Sequence, residues 1–341
     1  MPVTRRGILT GGTWCIDQNK LIDAWPEENG RAIILESETS CGGSGSNLAV
    51  DIRKLDPDMP VATIGLIGDD AEGRLLLALA DDYGIERSHL KTTSAAQTAY
   101  TIAIATRKTG RRTHISYFGA SHLLTPDHFD FAWSTHRFFH LGLPGVHRLM
   151  DGPWGTDANG WVTTLKKARA AGLVTNMELA SIDPERLADL VRPCLPHLDL
   201  LVVNDHEVGG IAGMATIRGG RTDIEACKAA AASVLAGGAL QCVVVHFPTG
   251  GIVVGRGGEE IARPSVRAPS SEIVGANGAG DAFAAGFLYG WHENWGAEAA
   301  LGLAHAVAAA SLRQMTTVGG VESWAACLAL AERWGWRDSL E

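Results

Sequence analysis

Short, continuous apolar runs recur along this chain, separated by stretches whose apolar positions repeat with a helical period. The runs are Gly7-Ile8-Leu9-Thr10, Phe138-Phe139-His140-Leu141, Leu173-Val174-Thr175, Leu200-Leu201-Val202-Val203 and Cys242-Val243-Val244-Val245. The helical patterns fall over 161–171, 184–191, 222–236 and 297–314. A strand that is apolar at every position is buried on both faces, and helices on both sides of a parallel sheet supply that burial. The alternation predicts an α/β fold: a doubly wound, mostly parallel sheet flanked by helices, forming a single domain over 1–341. No internal repeat, low-complexity tract or Pro- or Ser-rich linker divides it.

One region breaks this rhythm. Between Gln97 and Phe118 two strand-like runs flank the turn-forming group Lys108-Thr109-Gly110-Arg111, and Tyr100, Ile102 and Ile104 share one strand face. This predicts an antiparallel hairpin. The segment 13–40 has no helical period and offers Ala32-Ile33-Ile34-Leu35 as a further strand. Together they predict a small β-sheet standing off the main domain as a lid, the alternative being extra edge strands of the main sheet. A lid suits chemistry in which water competes with the substrate.

Composition sharpens the picture. The chain is 46% hydrophobic and 20% charged, enough for a large core and unlike a disordered chain. A net charge of −9 repels nucleic-acid backbone and anionic lipid at long range, so neither nucleic acid nor membrane is an expected partner. A local nest of backbone amides can still hold an anionic nucleotide. The six cysteines are scattered without a CxxC pair, as in a reduced, cytoplasmic protein. No signal-peptide apolar region follows the N-terminus. The Ala-rich stretch 297–312 falls short of the ~20 residues of a membrane span and contains Glu298 and His305, so a buried helix is expected there.

Three segments bear on chemistry. In Gly275-Ala276-Asn277-Gly278-Ala279-Gly280-Asp281, followed by Phe283, Phe287 and Trp291 at i, i+4 and i+8, a helix is predicted to begin near Gly278. Its first amides would be unpaired at the positive end of the helix dipole, an anion hole for a phosphoryl group in transfer. Asp281 in the first turn either accepts a proton from an attacking hydroxyl or only complements the dipole. Asn204-Asp205-His206-Glu207 follows a predicted strand, where ligands of open parallel sheets gather. Asn204 and Glu207 either order Mg²⁺ through water or simply cap the next helix. Gly42-Gly43-Ser44-Gly45-Ser46-Asn47 opens another helix, as a ligand loop or a flexible turn. It misses the dinucleotide fingerprint, and no GxxxxGK[ST] loop exists, which disfavours a nicotinamide oxidoreductase and a P-loop enzyme. His136, His140 and His147 show no evident carboxylate partner and read as surface or core histidines.

In their order along the chain, these segments resemble the ribokinase-like (PfkB) carbohydrate kinases. Gly12-Thr13-Trp14-Cys15-Ile16-Asp17 looks like the opening strand of that family with its substrate-binding Asp. The stretch from Ile64 to Gly73, with Gly84-Ile85 after it, is similar to the family's glycine-rich segment. The resemblance covers about residues 5 to 325. It implies ATP-dependent phosphorylation of a hydroxyl on a sugar or sugar-like small molecule, with ATP and Mg²⁺ as cofactors. Asp281 would be the catalytic base, and Gly278, Ala279 and Gly280 the anion hole. Asp17, Gly43 and Asn47 would hold substrate hydroxyls, and Asn204 and Glu207 would position Mg²⁺ and the phosphates. Asn277, Thr249, Gly250 and His305 would lie at the nucleotide. The segments 13–40 and 93–120 would form the lid, through which many relatives pair as homodimers.

The chain also departs from the family pattern. Gly275-Ala276 stand where the family has Asp-Thr, and in potassium-activated relatives that Asp helps hold the ion. His246-Phe247-Pro248-Thr249-Gly250 replaces a strand end with Thr-Leu-Gly, and proline fixes φ and removes an N–H. His305 stands in place of an Asn near the adenine, and Ser44 in place of the sugar-contacting Lys of ribokinases proper. Two alternatives follow: a nucleoside kinase of the same fold, for which Trp14 is the candidate stacking partner, or a non-catalytic ligand-sensing relative.

Overall fold

The computed structural model describes residues 5–107 and 112–340. The chain opens with β1 (Ile8–Gly12), β2 (Cys15–Ile22) and β3 (Ile34–Gly42), then α1 (Ser44–Leu55), β4 (Val61–Gly68) and α2 (Ala71–Asp82). Next come β5 (Glu86–Thr93), β6 (Ala99–Thr106), β7 (Arg112–Tyr117) and β8 (Phe138–Gly142). The middle of the chain forms α3 (Arg148–Asp151), α4 (Gly160–Ala170), β9 (Val174–Met177), α5 (Pro184–Val191), β10 (Leu200–Asn204) and α6 (Asp205–Ala212). A two-residue pair, β11 (Ile217–Arg218) and β12 (Arg221–Thr222), leads to α7 (Ile224–Ala236). The remainder is β13 (Cys242–Phe247), β14 (Gly250–Gly255), β15 (Glu260–Pro264), α8 (Ala279–His292), α9 (Ala297–Ser311) and α10 (Trp324–Trp334).

Nine strands form one sheet in the order β15-β14-β13-β10-β9-β8-β1-β4-β5, parallel except for the last two hairpins at the β15 edge. Successive strand residues enter opposite cores. Ile8, Leu200, Val202 and Val244 join α1, α8, α9 and α10, whereas Leu9, Leu201, Val203 and Val245 join α4, α5 and α7. That is why the strands are apolar throughout: each side chain, whichever way the pleat turns it, meets a helix layer and removes ~1.5–3 kcal/mol worth of apolar surface from water.

The small sheet is separate from the main one. Its order is β3-β2-β6-β7, with β2 antiparallel to β3, β6 antiparallel to β7 and β2 parallel to β6. The hairpin predicted between Gln97 and Phe118 is present; its turn, Lys108-Thr109-Gly110-Arg111, lies outside the described residues. Edge strands on the main sheet are ruled out. The sheet stands over the end of the main sheet where β1, β8 and β9 finish, and its β2, β6 and β7 share a cavity with the residues beyond those strand ends. No helix among the described residues is long and apolar enough to cross a membrane.

Candidate functional site

Two cavities meet at the first turn of α8. The helix starts at Gly278, whose left-handed backbone (φ 77°) and missing Cβ let the chain pass the Thr317 carbonyl; a Cβ there would lie 2.3 Å from that oxygen. No side chain caps this helix; the Ala279 amide makes a long bond to the Ala276 carbonyl at 3.4 Å, which a ligand would have to share or replace. Asp281 lies on the wall of one cavity, of about 330 Å³. Ala279 and Gly280 lie on the wall of the other, of about 500 Å³. A ligand in each cavity would approach the same helix start from either side.

Asp17, Gly43, Asn47 and Asp281, far apart in sequence, all line the first cavity. Gly43 caps α1 with φ 93°, and a Cβ would be 2.7 Å from the Thr13 carbonyl oxygen, so the turn approaches β1 as only glycine allows. That turn puts Asn47 in the first turn of α1, nearly fully buried. Its Nδ2 donates to Asp281 Oδ1 at 3.1 Å, and its Oδ1 accepts from Thr317 Oγ1 at 3.1 Å. Asn277, expected at the nucleotide, lines this first cavity instead. Trp14 does not line it: the ring is fully buried, with Nε1 donating to Thr63 Oγ1 at 2.8 Å. The aromatic faces come from Tyr100 and Tyr117 of the small sheet and from Phe118, which follows β7.

The second cavity is lined by Asn204, His246, Pro248, Phe283 and His305. Phe283 lies between the two histidines, 4.8 Å from the His246 ring and 5.1 Å from that of His305. Burial pushes His246 down to about 4 and His305 to about 3, so both are neutral. Thr249 and Gly250 do not line this cavity. Thr249 Oγ1 donates to the Leu340 carbonyl at 2.5 Å, and a Cβ on Gly250 would fall 2.2 Å from Leu340 Cδ2. The C-terminal residues cover both. Asn204 and Glu207 form a reciprocal cap on α6, with Asn204 Oδ1 accepting from the Glu207 amide at 2.8 Å and Glu207 Oε2 from the Asn204 amide at 2.9 Å.

Sequence reasoning missed Glu178. It follows β9 directly, and its amide extends the ladder to the Leu141 carbonyl at 2.9 Å, which aims the side chain into the first cavity. The rule that ligands gather beyond the carboxyl ends of parallel strands, applied to β9 as it was to β10, finds it. Its Oε2 lies 2.9 Å from His140 Nε2, so His140 does have a carboxylate partner, which a linear reading could not supply. His147 remains a core histidine, held by Thr13 Oγ1 and the Ser121 carbonyl, both at 2.7 Å.

The carboxyls here raise one another. Burial and the charge of Glu178 push Asp281 up to about 8, against the hydrogen bond from Asn47. Burial lifts Glu178 to about 8, while burial and Asp281 lift Asp17 to about 7. Burial takes Glu207 to about 7, with Asp281 adding to it. Asp51, one helical turn beyond Asn47, is fully buried with neither oxygen hydrogen-bonded, and burial holds it well above the usual carboxylate range. Such a cluster accommodates a proton or a cation, and perturbed groups of this kind concentrate at functional sites. Among the described residues no three His, Cys, Asp or Glu side chains converge as a metal cage.

Comparison with known proteins agrees with this geometry. The profile of a family described as "pfkB family carbohydrate kinase" matches residues 15–324. The adenosine kinase of Saccharomyces cerevisiae is 25% identical over 285 residues, spanning 82% of this chain and 80% of that one. The ATP-dependent ribose-1-phosphate kinase of Halopiger xanaduensis is 27% identical over 304 residues, spanning 89% and 90%. The structure of Arabidopsis thaliana ribokinase complexed with ribose and ATP superposes with a TM-score of 0.77 at 20% identity, covering 96% of this chain and 99% of that one.

Proposed function

The chain belongs to the pfkB family of carbohydrate kinases, and we propose that in its ATP-dependent phosphorylation of a sugar or sugar-like hydroxyl Asp281 is the general base. The acceptor binds in the first cavity and the nucleotide in the second, with the phosphates at the amides of Gly278, Ala279 and Gly280. The Asp281 carboxylate takes the proton as the acceptor oxygen bonds to the γ-phosphorus; the bond from phosphorus to the bridging oxygen breaks, and ADP leaves. The amides, fixed before reaction and shielded from bulk water, stabilise the charge on the group in transfer. The observation that carries this reading is the place of Asp281: on the acceptor wall, oriented by Asn47, in the helix turn that also borders the second cavity.

Asp17, Gly43 and Asn47 hold the acceptor's hydroxyls. The donor set suits Mg²⁺. Glu207 is buried with Asn204 as its hydrogen-bond partner, and it sits among carboxyls raised by burial and by one another's negative charge, with no cation beside them among the described residues to offset it. Asn204 and Glu207 would hold the ion largely through water, and when bound it offsets charge on the phosphates. His305 borders the base; Thr249 and Gly250, covered by Leu340, take no part.

The whole chain acts as one domain. The segments 13–40 and 93–120 close over the acceptor and pair two subunits, which the exposed Ile33, Ile34 and Ile115 of that region support. Six unpaired, buried cysteines support a reduced, cytoplasmic setting. A nucleoside is the second reading. Tyr100 and Tyr117, with ring centroids 5.3 Å apart on the cavity wall, offer the apolar faces that a base needs. Measuring ADP release from Mg-ATP over a panel of sugars and nucleosides tests the assignment, and full activity in Asp281→Asn would end it.

A further inference from the structure

The acceptor cavity is unusually rich in carboxyls. Asp17 reaches it from β2, Asp281 from the first turn of α8 and Glu178 from the end of β9. No Lys or Arg is among its described lining residues. The nearby Lys54 gives its ammonium to the carbonyls of Val318 at 2.6 Å and Gly319 at 3.1 Å, away from the cavity. Ser44 lines the wall with a fully buried hydroxyl that has no hydrogen-bond partner in the protein.

Glu178 is held from behind. Asn176 Nδ2 donates to His140 Nδ1 at 2.8 Å, which leaves the imidazole proton on Nε2, where it is donated to Glu178 Oε2 at 2.9 Å. Burial keeps His140 neutral, near 4, so this chain orients the carboxyl without adding positive charge to the site. The same carboxyl also shares a hydrogen bond with that of Asp281, so the two acids face the cavity as a pair. A ligand here meets acceptors that want hydrogens and a field that opposes negative charge. The site is so buried and so short of positive charge that its own carboxyls resist ionising, and an anionic ligand would meet the same penalty where little water screens it.

Resting on the kinase reading of this site, we propose that the acceptor is a neutral or amine-bearing polyhydroxylated molecule whose hydroxyl or ammonium hydrogens are held by Asp17 and Glu178, and that sugars bearing a phosphate or carboxylate are refused. Free sugars, amino sugars and nucleosides fall inside this class. The ribose 1-phosphate that names the Halopiger xanaduensis relative falls outside it.

Matched probes test this with the full chain and Mg-ATP: D-ribose against ribose 1-phosphate, and D-glucose and D-glucosamine against D-glucuronate. The expected result is phosphorylation of a neutral or amine member with kcat/KM at least 100-fold above its anionic partner; equal or better use of the anion overturns the proposal. Calorimetry with Mg²⁺ and a non-hydrolysable ATP analogue gives a reading independent of turnover. If no probe is phosphorylated, the kinase reading fails, while tighter binding of the anionic members would separately overturn the charge selection. Glu178→Gln keeps an oxygen for His140 and removes the ionisable group, and the comparison is made at pH 8.5, where the wild-type carboxyl ionises. Its neutral/anionic ratio should fall at least tenfold, with KM for the neutral acceptor rising more than kcat falls and the melting temperature not lowered. A merely structural role would lower both probes alike, and an unchanged ratio removes Glu178 from the proposal.

Discussion

Asn47 and Asp281, 234 positions apart in sequence, are joined by a hydrogen bond of 3.1 Å from the side-chain amide of one to Oδ1 of the other. The bond ties the first turn of α1 to that of α8. Because Asn47 also accepts from Thr317 at 3.1 Å, its amide cannot rotate without losing a partner. Thr317 Oγ1 in turn lies 3.0 Å from the Cys41 carbonyl, so three separate segments fix one carboxylate.

Asn47→Ala tests that arrangement. A buried hydrogen bond to a charged group is worth ~1.5–3 kcal/mol, so kcat/KM should fall roughly 10- to 100-fold. The lost donor stabilised the carboxylate, so the Asp281 value should rise and the acid limb of the pH–rate profile should move to higher pH. A limb that stays put or moves to lower pH would remove Asn47 from the account of the base.

The carboxyl cluster also makes stability depend on pH. Asp281 and Glu178 stand near 8, Asp17 and Glu207 near 7, all raised chiefly by burial. The unfolded chain releases these protons near pH 4, so between about 4 and 8 the folded state binds more protons and stability falls as pH rises. His140, His147 and His246, pushed down to about 4 by burial, work the other way: below about 6.5 the unfolded chain gains protons that the folded one refuses. The two sets oppose each other under pH 6.5; above it the carboxyls dominate, joined toward pH 8.5 by the cysteines, whose values burial raises and which act in the same direction. The melting temperature of the ligand-free protein should fall between pH 6.5 and 8.5, less steeply in Asp281→Asn. A rise over that range would contradict the cluster's assignment.

Gly278→Ala addresses the anion hole by geometry alone. A left-handed backbone costs a non-glycine residue ~1–2 kcal/mol, and the new methyl would sit 2.3 Å from the Thr317 carbonyl oxygen. The helix start must shift, misaligning the amides. Loss of a single fixed donor costs roughly 100- to 1000-fold in kcat, and a fall of that size is expected with a modestly lower melting temperature. Wild-type kcat in a variant with lowered stability would show that these amides do not contact the transferred group.

How far the sequence could be read depends on whether the information is local. The strand runs were legible because alternate residues such as Leu200 and Leu201 enter different apolar cores, which demands apolar residues at every position. The start of α8 was legible because glycines before an amphipathic run are a local signal. Glu178 was not, since a lone carboxylate after a short run acquires meaning only when the fold brings it to Asp281. Trp14 misled for the same reason: its position beside Asp17 suggested a ligand face, but Thr63 on the neighbouring strand β4 holds its indole in the core. Thr249 and Gly250 occupy a nucleotide-contacting place in the family pattern, yet Leu340, near the far end of the chain, packs over them.

The segment before α8 bears on monovalent cations. Gly275 stands where the resemblance to potassium-activated kinases calls for a carboxylate, and a glycine offers the ion only its carbonyl oxygen. The segment is instead tied down by the chain itself. The amides of Val274 and Gly275 both donate to the Leu312 carbonyl, at 2.8 and 3.2 Å, which ties it directly to the end of α9. A site lacking its charged ligand gives an ion little reason to leave water, and a loop already fixed gains little order from one. Replacing potassium by sodium or choline at constant ionic strength should therefore change kcat/KM less than twofold. Gly275→Asp supplies the missing carboxylate and gives the comparison its control. Tenfold or greater activation of the unaltered protein by potassium would show that carbonyls alone hold the ion, and that the Leu312 bonds do not substitute for it.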